Sequence, residues 1–147
     1  MVELLIGLVI LAILAAVAAP SFRAASENAE LRRASSDLVA ALNTARSQAV
    51  SLRIPVDVQP LAGGWANGWR VAYQYPPSVP ANQQTESDSD FVQPGNVTVA
   101  TGAATIRFQA NGFVAGGGET FDLCRSGRGR TITVSALGRI DNEEVVC

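Results

Sequence analysis

Polar and apolar residues divide this chain into three successive patterns. From Leu4 to Phe22 no charged side chain occurs, and the next is Arg23. As a helix rising about 1.5 Å per residue, that run is roughly 28 Å long, close to the thickness of a bilayer's hydrocarbon core. A second pattern follows without a break. In SFRAASENAELRRASSDLVAALNTARSQAVSLR, the residues Leu31, Ala34, Leu38, Ala41, Leu42, Ala45, Ala49 and Leu52 recur at three- and four-residue steps, with polar residues between them. That spacing predicts an amphipathic helix to about Arg53. Pro20 stands at the changeover and is expected to kink the helix there by removing one backbone donor. Some 50 residues of near-continuous helix would reach roughly 75 Å, longer than a domain of this size is wide. A stalk with a head is therefore expected.

The third pattern alternates. Ile54–Gln59 and Trp69–Tyr75 flank a glycine-rich stretch ending in Asn67-Gly68, which predicts a hairpin over residues 54–75. Residues 76–94 carry four prolines and the acids Glu86, Asp88 and Asp90, with little to bury, and read as a surface loop. Strand-like runs return at Asn96–Ala100, Thr105–Gln109, Thr120–Cys124 and Thr131–Ser135, separated by glycine turns. The fold class expected is α+β: one long N-terminal helix whose second half packs on an antiparallel sheet of roughly four to seven strands. Two regions follow, residues 1–22 as the apolar segment and 23–147 as the head.

Composition narrows the chemistry. Of 147 residues none is histidine, so Ser-His-Asp and Cys-His catalysis and the usual zinc sites lose their commonest participant. No other nucleophile is placed beside a base, so an enzyme is not expected, nor a catalytic residue, cofactor or metal site. A formal charge of −2 gives no global pull toward nucleic acid. A secretory signal peptide would carry a basic stretch before its apolar run, and none is present. Two cysteines, Cys124 and Cys147, stand far from any CxxC spacing. In an anchored chain facing an oxidising compartment they form one disulfide tying down the last residue; the alternative is two buried thiols.

One residue interrupts the first pattern. Glu3 puts a carboxylate at the mouth of the apolar run, and a charge in lipid costs about 2.5–3.5 kcal/mol if it reaches the centre. Either it meets a partner of opposite charge, or it lies solvated at headgroup level.

The stretch VELLIGLVILAILAAVAAPSF resembles the mature N-terminus of type IV pilins and type II secretion pseudopilins. Three further segments, ARSQAVSLR (Ala45–Arg53), WANGW (Trp65–Trp69) and IRFQANGF…LCRSGRGRTITVSALGR (Ile106–Arg139), narrow the likeness to the GspH/FimT/FimU family of minor pilins. The resemblance implies a structural subunit of a type IV pilus, helping to prime its assembly. It also implies a single-pass protein of the bacterial inner membrane with a periplasmic head. Its partners would be other minor and major pilins or pseudopilins, met through the N-terminal helix. It gives Glu3 a role in subunit docking, pairing with the N-terminal ammonium of a neighbour. The same likeness leaves open a pseudopilin of type II secretion, and a FimT-like subunit that binds DNA for uptake. The front departs from the family pattern: precursors have a short basic leader ending in glycine, cut before a phenylalanine that becomes methylated. Here Met1 stands two residues before Glu3, so the chain as written is not expected to be processed.

Arg125, Arg128, Arg130 and Arg139 cluster beside glycines, which suits phosphate contact. FimT-like relatives bind DNA through a Gly-Arg-x-Arg segment, whereas Gly138-Arg139 is followed by Ile140 and Asp141, and the tail is acidic. Solvated arginines on a loop and strand edge are the alternative. Trp65 and Trp69 either stack on a ligand or pack a hairpin tip. The acids of 86–90 lack the glycine turn and terminal glutamate of a calcium loop.

Overall fold

The computed structural model describes residues 2–147, except for the side chains of residues 15–20. A single helix, α1, runs from Val2 to Leu52. Its apolar residues behave differently in its two halves. Leu31, Ala34, Leu38, Ala41, Leu42, Ala45 and Ala49 are buried, as their spacing requires. Val2, Leu4, Leu5, Leu8, Leu11 and Leu14 are exposed. Among the described residues no helical stretch is long and apolar enough to cross a membrane. The expected kink at Pro20 falls in 15–20, outside the described side chains. The helix ends where its chemistry changes: Arg53 takes a left-handed conformation (φ 56°), and the residue before Pro55 is disfavoured in the α region.

Eight strands follow among the described residues, arranged as two four-stranded antiparallel sheets rather than the one sheet expected. The first has the order β3 (Ser89–Val92), β2 (Gly68–Tyr73), β1 (Val56–Pro60) and β5 (Ile106–Phe108). The second has β4 (Thr98–Thr101), β6 (Glu119–Arg125), β7 (Arg128–Val134) and β8 (Ile140–Val146). Helix α1 lies across both. The inward side chains of the sheets, Val56, Val58, Val71, Phe108, Phe121, Leu123, Ile132 and Val134, share one core with the helix stripe. A chain of this size needs such a shared core, because neither sheet alone can shield both of its faces.

The predicted hairpin is present, with Val56 opposite Tyr73 and Pro60 opposite Trp69. Its connection is longer than an Asn-Gly turn because Trp65 is drawn inward. The Trp65 indole N–H donates to the Ala103 carbonyl at 3.0 Å, and its ring meets Phe121 edge-on at 4.9 Å. Gly68 closes the connection at φ 121°, where a Cβ would strike the Phe91 carbonyl. Both tryptophans therefore pack the hairpin, and the stacking alternative loses its surface.

Residues 76–94 are more ordered than a surface loop. Ser89–Val92 adds β3 to the edge of β2, with Arg70 opposite Asp90. The Arg70 guanidinium grips the Asp90 carboxylate through two bonds of 2.6 and 2.8 Å. Asp88 accepts the Tyr73 N–H at 3.0 Å, and the Tyr75 hydroxyl accepts the Glu86 N–H at 2.9 Å. Two of the three carboxylates in the acidic run are thus held by protein donors. Among the described residues no cluster of potential metal ligands occurs.

The hydrogen bond from Arg70 holds the Asp90 carboxyl below its ordinary value of 3.8. A depressed carboxylate contributes stability above its unfolded pKa and loses it as pH falls through the folded one. Pairing of β3 with β2 should therefore weaken below about pH 4. Amide exchange at Phe91 measured across pH 2.5–6 would show it, after correction for the intrinsic rate, as a loss of protection at the acid end only.

Candidate functional site

Glu3 sits in the first turn of α1, exposed, on a surface it shares with Leu4, Gly7, Leu8 and Leu11. Among the described residues it makes no ion pair. Its helix position alone favours a carboxylate by roughly 0.3–1 kcal/mol, because the first N–H groups of a helix carry partial positive charge.

Cys124 and Cys147 form a disulfide with a Cα–Cα distance of 6.1 Å. It joins the end of the chain to β6, passing over Gly129 of β7. A Cβ at that glycine would collide with the Cys147 sulfur and crowd the Leu123 carbonyl. Gly129, the second glycine of CRSGRGR, is thus explained by the bridge above it and not by an approaching phosphate.

The four arginines do not form a common surface. Arg125 turns toward the helix, where it pairs with Glu30 at 2.6 Å and donates to the Asn96 carbonyl at 2.9 Å. Arg130 pairs with Glu144 on the adjacent strand. Arg139 pairs with Asp141 at 2.9 Å. Arg128 is exposed and has no ion pair among the described residues. Arg128 and Arg139 stand near opposite ends of the β7–β8 hairpin, about 20 Å apart at the rise of an extended strand. Three of the four cations already have carboxylate partners, so phosphate would have to displace them.

Two features of this region had no counterpart in the sequence reading. Strand β8 occupies the acidic tail, and Asn142 on it donates to the hydroxyl of buried Ser35 at 2.8 Å. That bond and the Arg125–Glu30 pair tie the second sheet to consecutive turns of the helix, fixing where the head sits along it. On the first sheet, Arg107 holds buried Asp57 through two bonds of 2.7 Å. Neither acid of these pairs is placed by a motif, so composition alone offered no signal.

A family model described as type II transport protein GspH matches residues 34–138, the greater part of the chain and nearly all of its strands. The chain belongs to the GspH family. Solved relatives agree with this membership. The type IV minor pilin FimU of Pseudomonas aeruginosa, in a P21 crystal, is 29% identical over 80% of this chain and 91% of its own, with a TM-score of 0.64. A second FimU crystal form, P65, gives 28% identity, 77% and 92% coverage, and a TM-score of 0.60. The minor pseudopilin EpsH of the Vibrio cholerae type 2 secretion system shares the fold at 10% identity and a TM-score of 0.55, over 78% of this chain and 97% of its own. No curated protein sequence matches the chain. The chain is thus a minor pilin or pseudopilin of the GspH/FimU type, with the α+β fold of that family. These relatives are structural pilins and pseudopilins, not enzymes.

Proposed function

We propose that the chain is a structural minor pilin that helps to prime a type IV pilus at the bacterial inner membrane. One observation carries the reading: a single helix exposes its apolar side chains over residues 2–14 and buries them in a head over 31–49. Exposed leucines in such number need lipid or other helices around them. In this reading residues 1–22 lie in the inner membrane before assembly and bundle with neighbouring pilins afterwards, while residues 23–147 form the periplasmic head. Glu3 then meets the N-terminal ammonium of an adjacent subunit, where low dielectric strengthens their attraction and pairing offsets the cost of burying each.

The family description as a type II transport protein supports a second reading, a pseudopilin of type II secretion with the same fold and anchor. Deleting the chain in its own host separates the two. A pilus subunit should lower surface piliation and leave secreted enzymes at normal levels, whereas a pseudopilin should do the reverse. No change in either would sink both readings. DNA uptake is the less supported role, because Arg125, Arg130 and Arg139 are occupied by carboxylates. The full chain in lipid nanodiscs should retain DNA no better than empty discs across a salt series. Retention with a steep salt slope that shrinks in Arg128→Gln would reverse that judgement.

A further inference from the structure

The contacts between the helix and the β7–β8 hairpin run in order toward the N-terminus. Asn142 meets Ser35, Glu144 comes to 3.9 Å from Arg32, and Arg128, further along the strands, shares a pocket with Asn28. Residues 21–26 of the helix, beyond that point, are exposed. The pocket holds about 200 Å³, between Asn28, Leu31 and Arg32 of the helix and Arg128, Arg130 and Glu144 of the hairpin. Arg128 and Arg130 stand on the face of β7 that also carries buried Ile132 and Val134, two residues apart and opposite Val146 and Glu144.

Charge in this pocket is unbalanced, with three guanidinium groups and one carboxylate in its wall. Glu144 is bonded to Arg130 across the strand pair. Its approach to Arg32, at 3.9 Å, is too long for a hydrogen bond. Arg128 is exposed and makes no ion pair among the described residues. The neighbouring acids do not make up the difference: Glu30 is held by Arg125 at 2.6 Å, Glu143 alternates to the other face of β8, and Glu27 is not part of the wall. Arg130 can therefore keep Glu144 while Arg32 and Arg128 take an anion. Arg32 comes from the helix, outside the arginine cluster visible in the sequence.

The place of the pocket along the helix selects the anion. With the apolar segment ending at Phe22, Asn28 stands about 9 Å further along the helix axis. The headgroup layer of a bilayer is about 5–8 Å deep on each side. The pocket thus opens just above the lipid phosphates, within reach of long arginine side chains. Val146, opposite Arg128, leaves 90% of its surface in solvent, so an apolar residue accompanies the cations at this edge, as on surfaces that rest on lipid.

We propose that Arg32 and Arg128 bind the headgroup phosphate of an anionic phospholipid, seating the head on the inner membrane before assembly. One phosphodiester charge then meets two guanidinium groups, each able to donate paired N–H bonds to its oxygens. A choline headgroup brings its own cation to the phosphate and a glycerol headgroup does not, which favours the anionic lipid. The proposal rests on the reading of residues 1–22 as a membrane anchor and adds to it a contact made by the head.

The test uses the full chain in nanodiscs, with arginine Nε–H signals followed by NMR and assigned through single Arg→Gln variants. Raising phosphatidylglycerol in a phosphatidylcholine disc should shift the Arg32 and Arg128 signals saturably. Arg46, which lies beside Leu137 at the other end of the head, should not move. Followed at Arg32, Arg128→Gln should raise the phosphatidylglycerol fraction at half-saturation about fivefold, the value of one cation at a lipid surface. Arg128→Lys keeps the charge without the planar fork and should recover only part of the affinity. Unmoved Arg32 and Arg128 signals would overturn the site, and Arg128→Lys equal to wild type would replace it with diffuse attraction to a charged surface. Glycerol phosphate added to pure phosphatidylcholine discs should not saturate the signals by about 10 mM, since it lacks the local concentration that a bilayer gives its lipids. Saturation there would overturn the lipid in favour of free phosphate, and a short DNA duplex that reverses the lipid-induced shifts would overturn it in favour of nucleic acid. A chain that does not enter discs at all is the failure of the anchor reading and removes the lipid contact with it. A chain held in discs with silent arginines overturns the lipid contact alone.

Discussion

Cys147→Ser should lower the unfolding free energy of the head by about 3 kcal/mol, the chain-entropy value for a loop of this length. The bridge spans a sequence separation of 23 and captures the final residue of the chain. That residue follows β8, whose only partner strand is β7 and whose last residue, Val146, leaves 90% of its surface exposed. Without the bridge, hydrogen bonds along one edge, the Asn142–Ser35 contact and the exposed ion pairs of Glu144 with Arg130 and Arg32 remain to hold the strand. Urea unfolding followed by circular dichroism would give the difference. Reducing the wild-type bridge should reproduce the loss, and the same reductant should leave Cys147→Ser unchanged. The loss should also be uneven, with amide protection disappearing from β8 before β6 and β7. A change below about 0.5 kcal/mol would mean that the bridge closes a contact already secured by packing.

The same strand marks the limit of what the sequence revealed. The helix was legible because burial on one face imposes a period of three to four residues, and Leu31 to Ala49 keep that period without exception. β1 and β2 were legible because both alternate and are separated by glycines. β8 was not. In Ile140–Val146 the polar residues fall on both faces, since Asn142 and Glu144 turn toward the helix side and meet Ser35 and the arginines there. A strand whose inward face makes polar contacts shows no alternation to read. β3 was hidden for a different reason. Its four residues carry a charge and almost no burial, and what holds it is Arg70 on the neighbouring strand.

The arginine cluster shows the corresponding limit for sites. Glycines beside arginines fit phosphate equally well as an idea, but whether a guanidinium is free depends on distant carboxylates. Glu30 lies on the helix and reaches Arg125 only because the sheet packs there. Local spacing cannot carry that information. The N-terminal run, in contrast, was legible as helix, and its apolar side chains are exposed over residues 2–14.

Glu3→Ala bears most directly on the claim that this chain works as a subunit docked through its N-terminal helix. The substitution removes one member of a charge pair that would be buried on assembly, and a lone buried charge of that kind costs about 3–5 kcal/mol. At about 1.4 kcal/mol per factor of ten, incorporation should fall by a hundredfold or more. The head should be untouched, since Glu3 contacts none of the strands and lies far along the helix from Leu31. The measurement is the ratio of tagged chain in sheared filaments or pseudopili to chain in the inner membrane, for wild type, Glu3→Ala and Glu3→Asp, each with its thermal unfolding curve. The account predicts an empty filament fraction for Glu3→Ala, partial recovery for Glu3→Asp, and one unfolding midpoint for all three. Glu3→Ala entering filaments at the wild-type ratio would contradict it.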